Sequence, residues 1–136
     1  MDIKETLELH KLWVQGDDEG VRAVLYGAEL TNANLSGAIL RDAILTNALL
    51  IDADLTGANL SDADLIGADL SYADLSDADL NGANLTGANL RNANLSDADL
   101  SDVDLIGADL RGADLTYAAL YGAELTDIKV NERTKF

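Results

Sequence analysis

Residues 58–82 read ANLSD ADLIG ADLSY ADLSD ADLNG, five successive units in which alanine is always first and leucine always third. The spacing continues in both directions: every fifth residue from Leu25 to Leu125 is leucine, 21 in unbroken succession, and the residue two before each is alanine except at Val103. A period of five matches neither the 3.6 of a helix nor the 2.0 of a strand. The unit is therefore a short extended piece plus a turn, repeated without a change of register. Residues two apart on an extended piece point to the same side, so alanine and leucine both face inward. Leucine fills the core, and close packing keeps the alanine position small. Each buried leucine contributes about 1.5 to 3 kcal/mol, which predicts a filled interior rather than a pocket.

Two residues after each leucine stands Gly nine times, Asp seven, Asn three and Tyr twice. Gly, Asn and Asp tolerate positive φ and close local turns, which makes this position the corner. The residues before and after each leucine then point outward. The first of these is mostly Asp or Asn, the second often Ser or Thr, as at Ser36, Thr56, Ser76, Ser96 and Thr116.

The 136 residues leave room for one domain, with a lead-in at 1–24, the repeat array at 25–125 and a tail at 126–136. The chain has 25 acidic and nine basic residues, a formal net charge of -16, and neither cysteine nor proline. Such a charge repels nucleic acid and anionic lipid and attracts basic partners, so neither direct nucleic-acid binding nor membrane association is expected. Disulfide and thiol chemistry are excluded. Asp2, Lys4, Glu5 and Glu8 interrupt any apolar stretch of signal-peptide length, and no run reaches membrane-spanning length. A cytoplasmic location is expected.

In the lead-in, Ile3, Leu7, Leu9, Trp13 and Val14 partly follow helical spacing between Asp2, an N-cap, and Gly16, a stop. This predicts a short helix that caps the first coil through Leu9, Leu12 and Trp13, since a solenoid otherwise exposes an unpaired layer at each end. His10 has no Cys, Asp or Ser arrangement beside it, and is read as a surface or packing residue without chemistry.

Units such as Ala58-Asn59-Leu60-Ser61-Asp62 and Ala88-Asn89-Leu90-Arg91-Asn92 resemble the A(D/N)LXX signature of pentapeptide repeat proteins. The resemblance covers about three quarters of the chain. It implies an all-β solenoid, a right-handed quadrilateral parallel β-helix with 20 residues per coil. The array then makes about five coils and a rod roughly 25 Å long at the usual inter-strand spacing. Family dimers that meet through C-terminal aromatic stacking have a weak counterpart here, because the only phenylalanine is Phe136. A monomer is expected, and the resemblance implies a bacterial origin, with cyanobacteria the group it points to.

A 20-residue coil makes side chains 20 apart vertical neighbours. Acidic columns follow: Asp54 with Asp74, Asp77 with Asp97, Asp79 with Asp99, and Asp42 with Asp62. The array carries 17 acidic and three basic residues, net -14, over about 25 Å, where duplex DNA carries about 15 charges. Some pentapeptide repeat proteins imitate DNA and bind gyrase, so the resemblance offers DNA mimicry as one reading of the columns. The other is that Asp forms turns and keeps the repeat soluble.

Between residues 39 and 51 the polar outward positions become Ile39, Ile44, Leu49 and Ile51, with Val24 one coil before Ile44. These form either a partner patch or the seat of the N-terminal helix. Tyr26, Tyr72, Tyr117 and Tyr121 are scattered over faces and coils as surface packing residues, and Ile66 and Ile106 share one column. Flat carboxylate ladders lack the six to eight converging oxygens of a calcium site. Paired Asp residues have no cleft, nucleophile or histidine with which to do acid–base chemistry. No catalytic, cofactor or metal site is expected. After Leu125, Ile128 to Val130 adds a partial strand, and the charged end carrying Arg133 and Lys135 blunts edge pairing. The expected function is a non-enzymatic protein–protein interaction or regulatory module. The alternative is a DNA mimic that binds DNA gyrase or another DNA-binding protein through the acidic ladders.

Overall fold

The computed structural model describes all residues, Met1 to Phe136. One helix, α1 (Ile3–Val14), precedes an array of parallel bridges, each joining residue i to i+20 from Val24–Ile44 to Asp109–Lys129. Twenty residues per turn and a corner every five give four sides. The first side is centred on Leu25, Leu45, Leu65, Leu85, Leu105 and Leu125, and the next three on Leu30, Leu35, Leu40 and their successors.

The hydrogen bonds explain why five residues suffice. The N–H of each central leucine from Leu25 to Leu115 donates to the coil after it, as Leu45 to the Asp64 carbonyl at 2.7 Å, and from Ile44 onward the residue before it donates to the coil behind, as Ile44 to Ala23 at 3.0 Å. At the corner, Ala48 N–H turns back to the Leu45 carbonyl at 2.9 Å, and Asn47 N–H reaches Ile66 at 2.9 Å. Every corner residue from Gly27 to Asp127 has φ between 55° and 76°, the left-handed region in which a Cβ is costly. That geometry selects Gly, Asn and Asp. Tyr72 (φ 61°) and Tyr117 (φ 60°) adopt it despite their bulk.

Leu25 through Leu115 are at most 4% exposed and the array alanines between them are buried from Ala43 to Ala113. Val103 tests the small-residue rule: it fits without exposure, but its N–H reaches the Leu100 carbonyl at 3.3 Å, against 2.9 Å for Ala83 to Leu80. The core does not extend to all 21 leucines, because Leu120 and Leu125 are only half-buried in the last coil.

Helix α1 begins where expected, the Asp2 carboxylate accepting from the Lys4 and Glu5 N–H groups, and Gly16 leaves it at φ 78°. The capping trio differs from expectation. Ile3 and Leu7 pack against the core and His10 is completely buried, whereas Leu9 and Leu12 are half-buried and Trp13 is 36% exposed. At 100° per residue, positions 3, 7 and 10 share one arc of α1, and positions 9, 12 and 13 fall on the neighbouring one. The tail also stays in the pairing longer than its sequence suggests. Lys129 pairs with Asp109, and after a one-residue slip Lys135 pairs with Asp114, which sets Phe136 one coil after Leu115. Thr134 Oγ1 donates to the Leu110 carbonyl at 2.9 Å and holds this last turn.

Candidate interaction surface

With the interior filled, only outward columns and the two ends can meet a partner. The column before the central leucines is the most uniform. Wherever Asp or Asn occupies it between Asn34 and Asp114, its Oδ1 accepts the N–H two residues on, as Asp54 from Thr56 at 3.0 Å and Asn84 from Thr86 at 3.0 Å. The carboxylates close local turns. Hydroxyl donors strengthen several: Ser76 Oγ lies 2.6 Å from Asp74 and Thr116 Oγ1 2.5 Å from Asp114.

The expected acidic ladders are placed as two kinds. Asp54–Asp74 and Asp79–Asp99 are bridged neighbours in the turn-closing column. Asp42, Asp62, Asp77 and Asp97 are corner residues at φ 56° to 60°. Where Asn interleaves, it relieves repulsion directly: Asn89 Nδ2 donates to Asp69 Oδ1 at 3.0 Å and Asn94 Nδ2 to Asp74 Oδ1 at 3.3 Å. Hydrogen bonding holds the carboxyls of Asp54, Asp99 and Asp114 below the usual range, the Thr56, Ser101 and Thr116 side chains being the main cause. Arg111 does the same for Asp109 through a paired contact of 2.9 and 2.5 Å. No group of three or more His, Asp or Glu side chains converges as metal ligands would.

The apolar residues expected to form a patch do not share a face. Ile39, Ile44 and Leu49 precede Leu40, Leu45 and Leu50, the centres of three successive sides, and Ile51 follows Leu50. They form a half-buried belt from the last side of the first coil to the second side of the next, because a five-residue step in sequence is a quarter turn in space. They also lack the carboxamide or carboxylate that closes the local turn elsewhere. Helix α1 crosses the open end of the first coil, and Ile39 of the belt borders a groove of about 220 Å³ that it shares with Leu7, Glu8 and Lys11.

The tyrosines are not packed down. Tyr26, Tyr72, Tyr117 and Tyr121 are all exposed, the last two by 85% and 84%, with the small Ala119 between them on the fourth side. The docking contact least visible in sequence is that of His10, whose ring meets the first coil through both nitrogens. Its place on the Ile3–Leu7 arc was the available signal.

Together these features define an all-β solenoid of five-residue units with a filled core, turn-closing acidic columns and one helical cap. The family model for pentapeptide repeats, eight copies long, matches residues 21–57, 43–82, 58–97 and 93–129, and the chain belongs to the pentapeptide repeat family. It is similar to the pentapeptide repeat protein Rfr23 from the cyanobacterium Cyanothece 51142, with 41% identity over 73% of this chain and 64% of that one, and a TM-score of 0.62. HetL from Nostoc sp. strain PCC 7120, a protein involved in heterocyst differentiation regulation, shares 38% identity over 81% of this chain and 58% of its own, with a TM-score of 0.36. The pentapeptide repeat protein alr5209 from the same Nostoc strain shares 35% identity over 91% and 93% of the two chains, with a TM-score of 0.48. The chain thus spans less than two thirds of the length of Rfr23 and of HetL. Comparison with curated proteins gives no match. No helix is long and apolar enough to cross a membrane.

Proposed function

We propose that this chain is a non-enzymatic interaction or regulatory scaffold module, a right-handed quadrilateral β-helix that binds a protein partner through its outward faces. The observation that carries this reading is the pair Tyr72 and Tyr117: two large, exposed side chains held at φ near 60°, where Gly, Asn or Asp serve elsewhere in the array. A bulky residue in the left-handed region costs about 1 to 2 kcal/mol. Exposed aromatics are what protein interfaces use as anchors. The belt residues Ile39, Ile44, Leu49 and Ile51 are secondary contacts, spread over three sides with Leu49 and Ile51 on the same one.

A second reading, DNA mimicry toward gyrase or another DNA-binding protein, is supported by the stacked acids Asp54–Asp74 and Asp79–Asp99 and a linear charge density near that of duplex DNA. Against it stands the turn-closing role of each of these carboxylates, which accounts for them without a partner. The two readings separate in one experiment: bacterial lysate is passed over the immobilised protein at low and near-physiological salt, with duplex DNA as competitor. An aromatic contact predicts a partner that survives salt and DNA and is lost from Tyr117→Asn, while mimicry predicts release by both salt and DNA. Retention unchanged by Tyr117→Asn and Tyr72→Asn would defeat the first reading.

A further inference from the structure

His10 stands in for a missing coil. On the fourth side, a corner carbonyl accepts an N–H from the coil before it: Ser61 from Asp42, Asn81 from Asp62 and Ser101 from Gly82, at 2.9 to 3.0 Å. Arg41 occupies the same column one coil earlier, and no coil precedes it. His10 Nε2 lies 2.9 Å from its carbonyl. On the first side, Ala43 and Ala63 donate their N–H groups back to the Leu40 and Leu60 carbonyls, at 3.0 Å each, but Ala23 N–H donates to His10 Nδ1, also at 3.0 Å.

One imidazole therefore supplies both a donor and an acceptor to the open end. Since Nδ1 accepts, the single ring proton is on Nε2, and the ring is neutral. It is fully buried, its centroid 5.5 Å from the Trp13 ring and tilted only 16° from it, and the Arg22 guanidinium lies 5.6 Å from the same Trp13 ring. A second proton would sit on Nδ1 and point at the Ala23 N–H, setting two donors against each other at a buried contact.

We propose that His10 is a proton-operated latch, whose protonation releases α1 from the first coil and uncovers the N-terminal end of the solenoid. The charges around it are few. Arg22 opposes protonation and Asp42 favours it, the latter paired with Arg41 at 3.4 Å. Burial is the largest influence, and with Arg22 it holds the ring below its ordinary value of 6.5, against the Arg41 carbonyl and Asp42. A base whose folded value is lowered is bound by protons first in the released state. Docking is thus complete above 6.5 and weakens up to about tenfold per pH unit below it, until the lowered value is reached. Ordinary carboxylates titrate near 4, which leaves the interval from about pH 6.5 to 5 to His10.

The chain has one tryptophan and one histidine, so both can be followed without labels. The full-length protein is titrated from pH 7.5 to 5 by Trp13 fluorescence, by the His10 ring resonances and by amide exchange of α1. Expected are a red shift of Trp13 and a loss of α1 protection that grows about tenfold per pH unit, with array amides unchanged. Asp42→Asn, which the corner tolerates at φ 60°, lowers the docked value, so the loss of docking runs deeper and continues to lower pH, and Arg22→Gln raises that value, so the loss is shallower and levels off at higher pH. His10→Gln abolishes the dependence. A His10 ring that titrates near 6.5 with α1 protection constant, or a loss of protection whose depth is indifferent to both Asp42→Asn and Arg22→Gln, overturns the proposal.

Discussion

The two ends of the rod meet the same physical problem and solve it differently. At the start, Leu25, Leu30, Leu35 and Leu40 are no more than 4% exposed, because α1 covers them and His10 satisfies the backbone at Ala23 and Arg41. At the finish, Leu120 and Leu125 are half-buried, and Val130 and Phe136 are 47% and 64% exposed. Leu100 and Leu105 donate their N–H groups to Ala119 and Glu124 of the coil beyond, but Leu120 and Leu125 have no coil beyond them. Lys129, Glu132, Arg133 and Lys135 put charge along that edge, which discourages another strand from adding to it. A solenoid built of identical units must end in something unlike itself, and here the start is sealed while the finish is only blunted.

The contrast breaks most visibly in the core. Leu65→Ala, in the middle of the rod, is expected to cost about 3 to 5 kcal/mol, and Leu125→Ala, at the open end, about 1 kcal/mol, compared by urea denaturation. Equal losses would mean that the last coil is packed as tightly as the third. Next in size is the cap itself. A Cβ at Gly20 would lie 2.1 Å from the Trp13 backbone nitrogen, so Gly20→Ala pushes α1 off its seat. A loss of about 2 to 3 kcal/mol is expected, with raised exchange in the Leu25–Leu40 coil. Gly57→Ala, where no atom lies within 4 Å, is expected to cost only the left-handed backbone penalty of about 1 kcal/mol.

A smaller effect has the opposite sign. Tyr117→Asn, near the open end, relieves the left-handed strain and is expected to stabilise the protein by about 0.5 to 1 kcal/mol while weakening the proposed partner contact. Stabilisation without loss of binding would leave Tyr117 unexplained. The smallest effect concerns pH. The carboxyls of Asp54, Asp99, Asp109 and Asp114 are held low in the folded state, so the unfolded chain takes up protons first. Their stabilisation is present above the ordinary carboxylate range near 4 and lost as pH falls through the lowered values. Asp114→Asn keeps the turn-closing acceptor but removes one titrating group, and is expected to flatten the dependence of the urea midpoint on pH below about 4.

Much of this is legible in the chain. The five-residue spacing identifies the buried leucines and alanines because each position has one role in every coil, and the corner bias of Gly, Asn and Asp announces the positive φ found there. The vertical pairs, such as Asp54 with Asp74, follow once four units per coil are accepted. The belt Ile39–Ile44–Leu49 reads in sequence as an apolar cluster near one end, and the fold spreads it over three sides because each unit turns a corner. The tail hides its pairing behind a one-residue slip, which breaks the leucine spacing without breaking the ladder. The latch is invisible to pattern reading for a different reason. His10 is a polar residue on an apolar arc, and its two partners, Ala23 and Arg41, are brought to it only by the first coil closing on itself.

Native-state hydrogen exchange, resolved by residue at pH 7.5, tests the difference between the ends most directly. The sealed start predicts that amides of the Leu25–Leu40 coil exchange as slowly as those of the Leu65–Leu80 coil, while those of Leu120 and Leu125 exchange far faster. Equal protection at the two ends, or a first coil that exchanges as fast as the last, would contradict it.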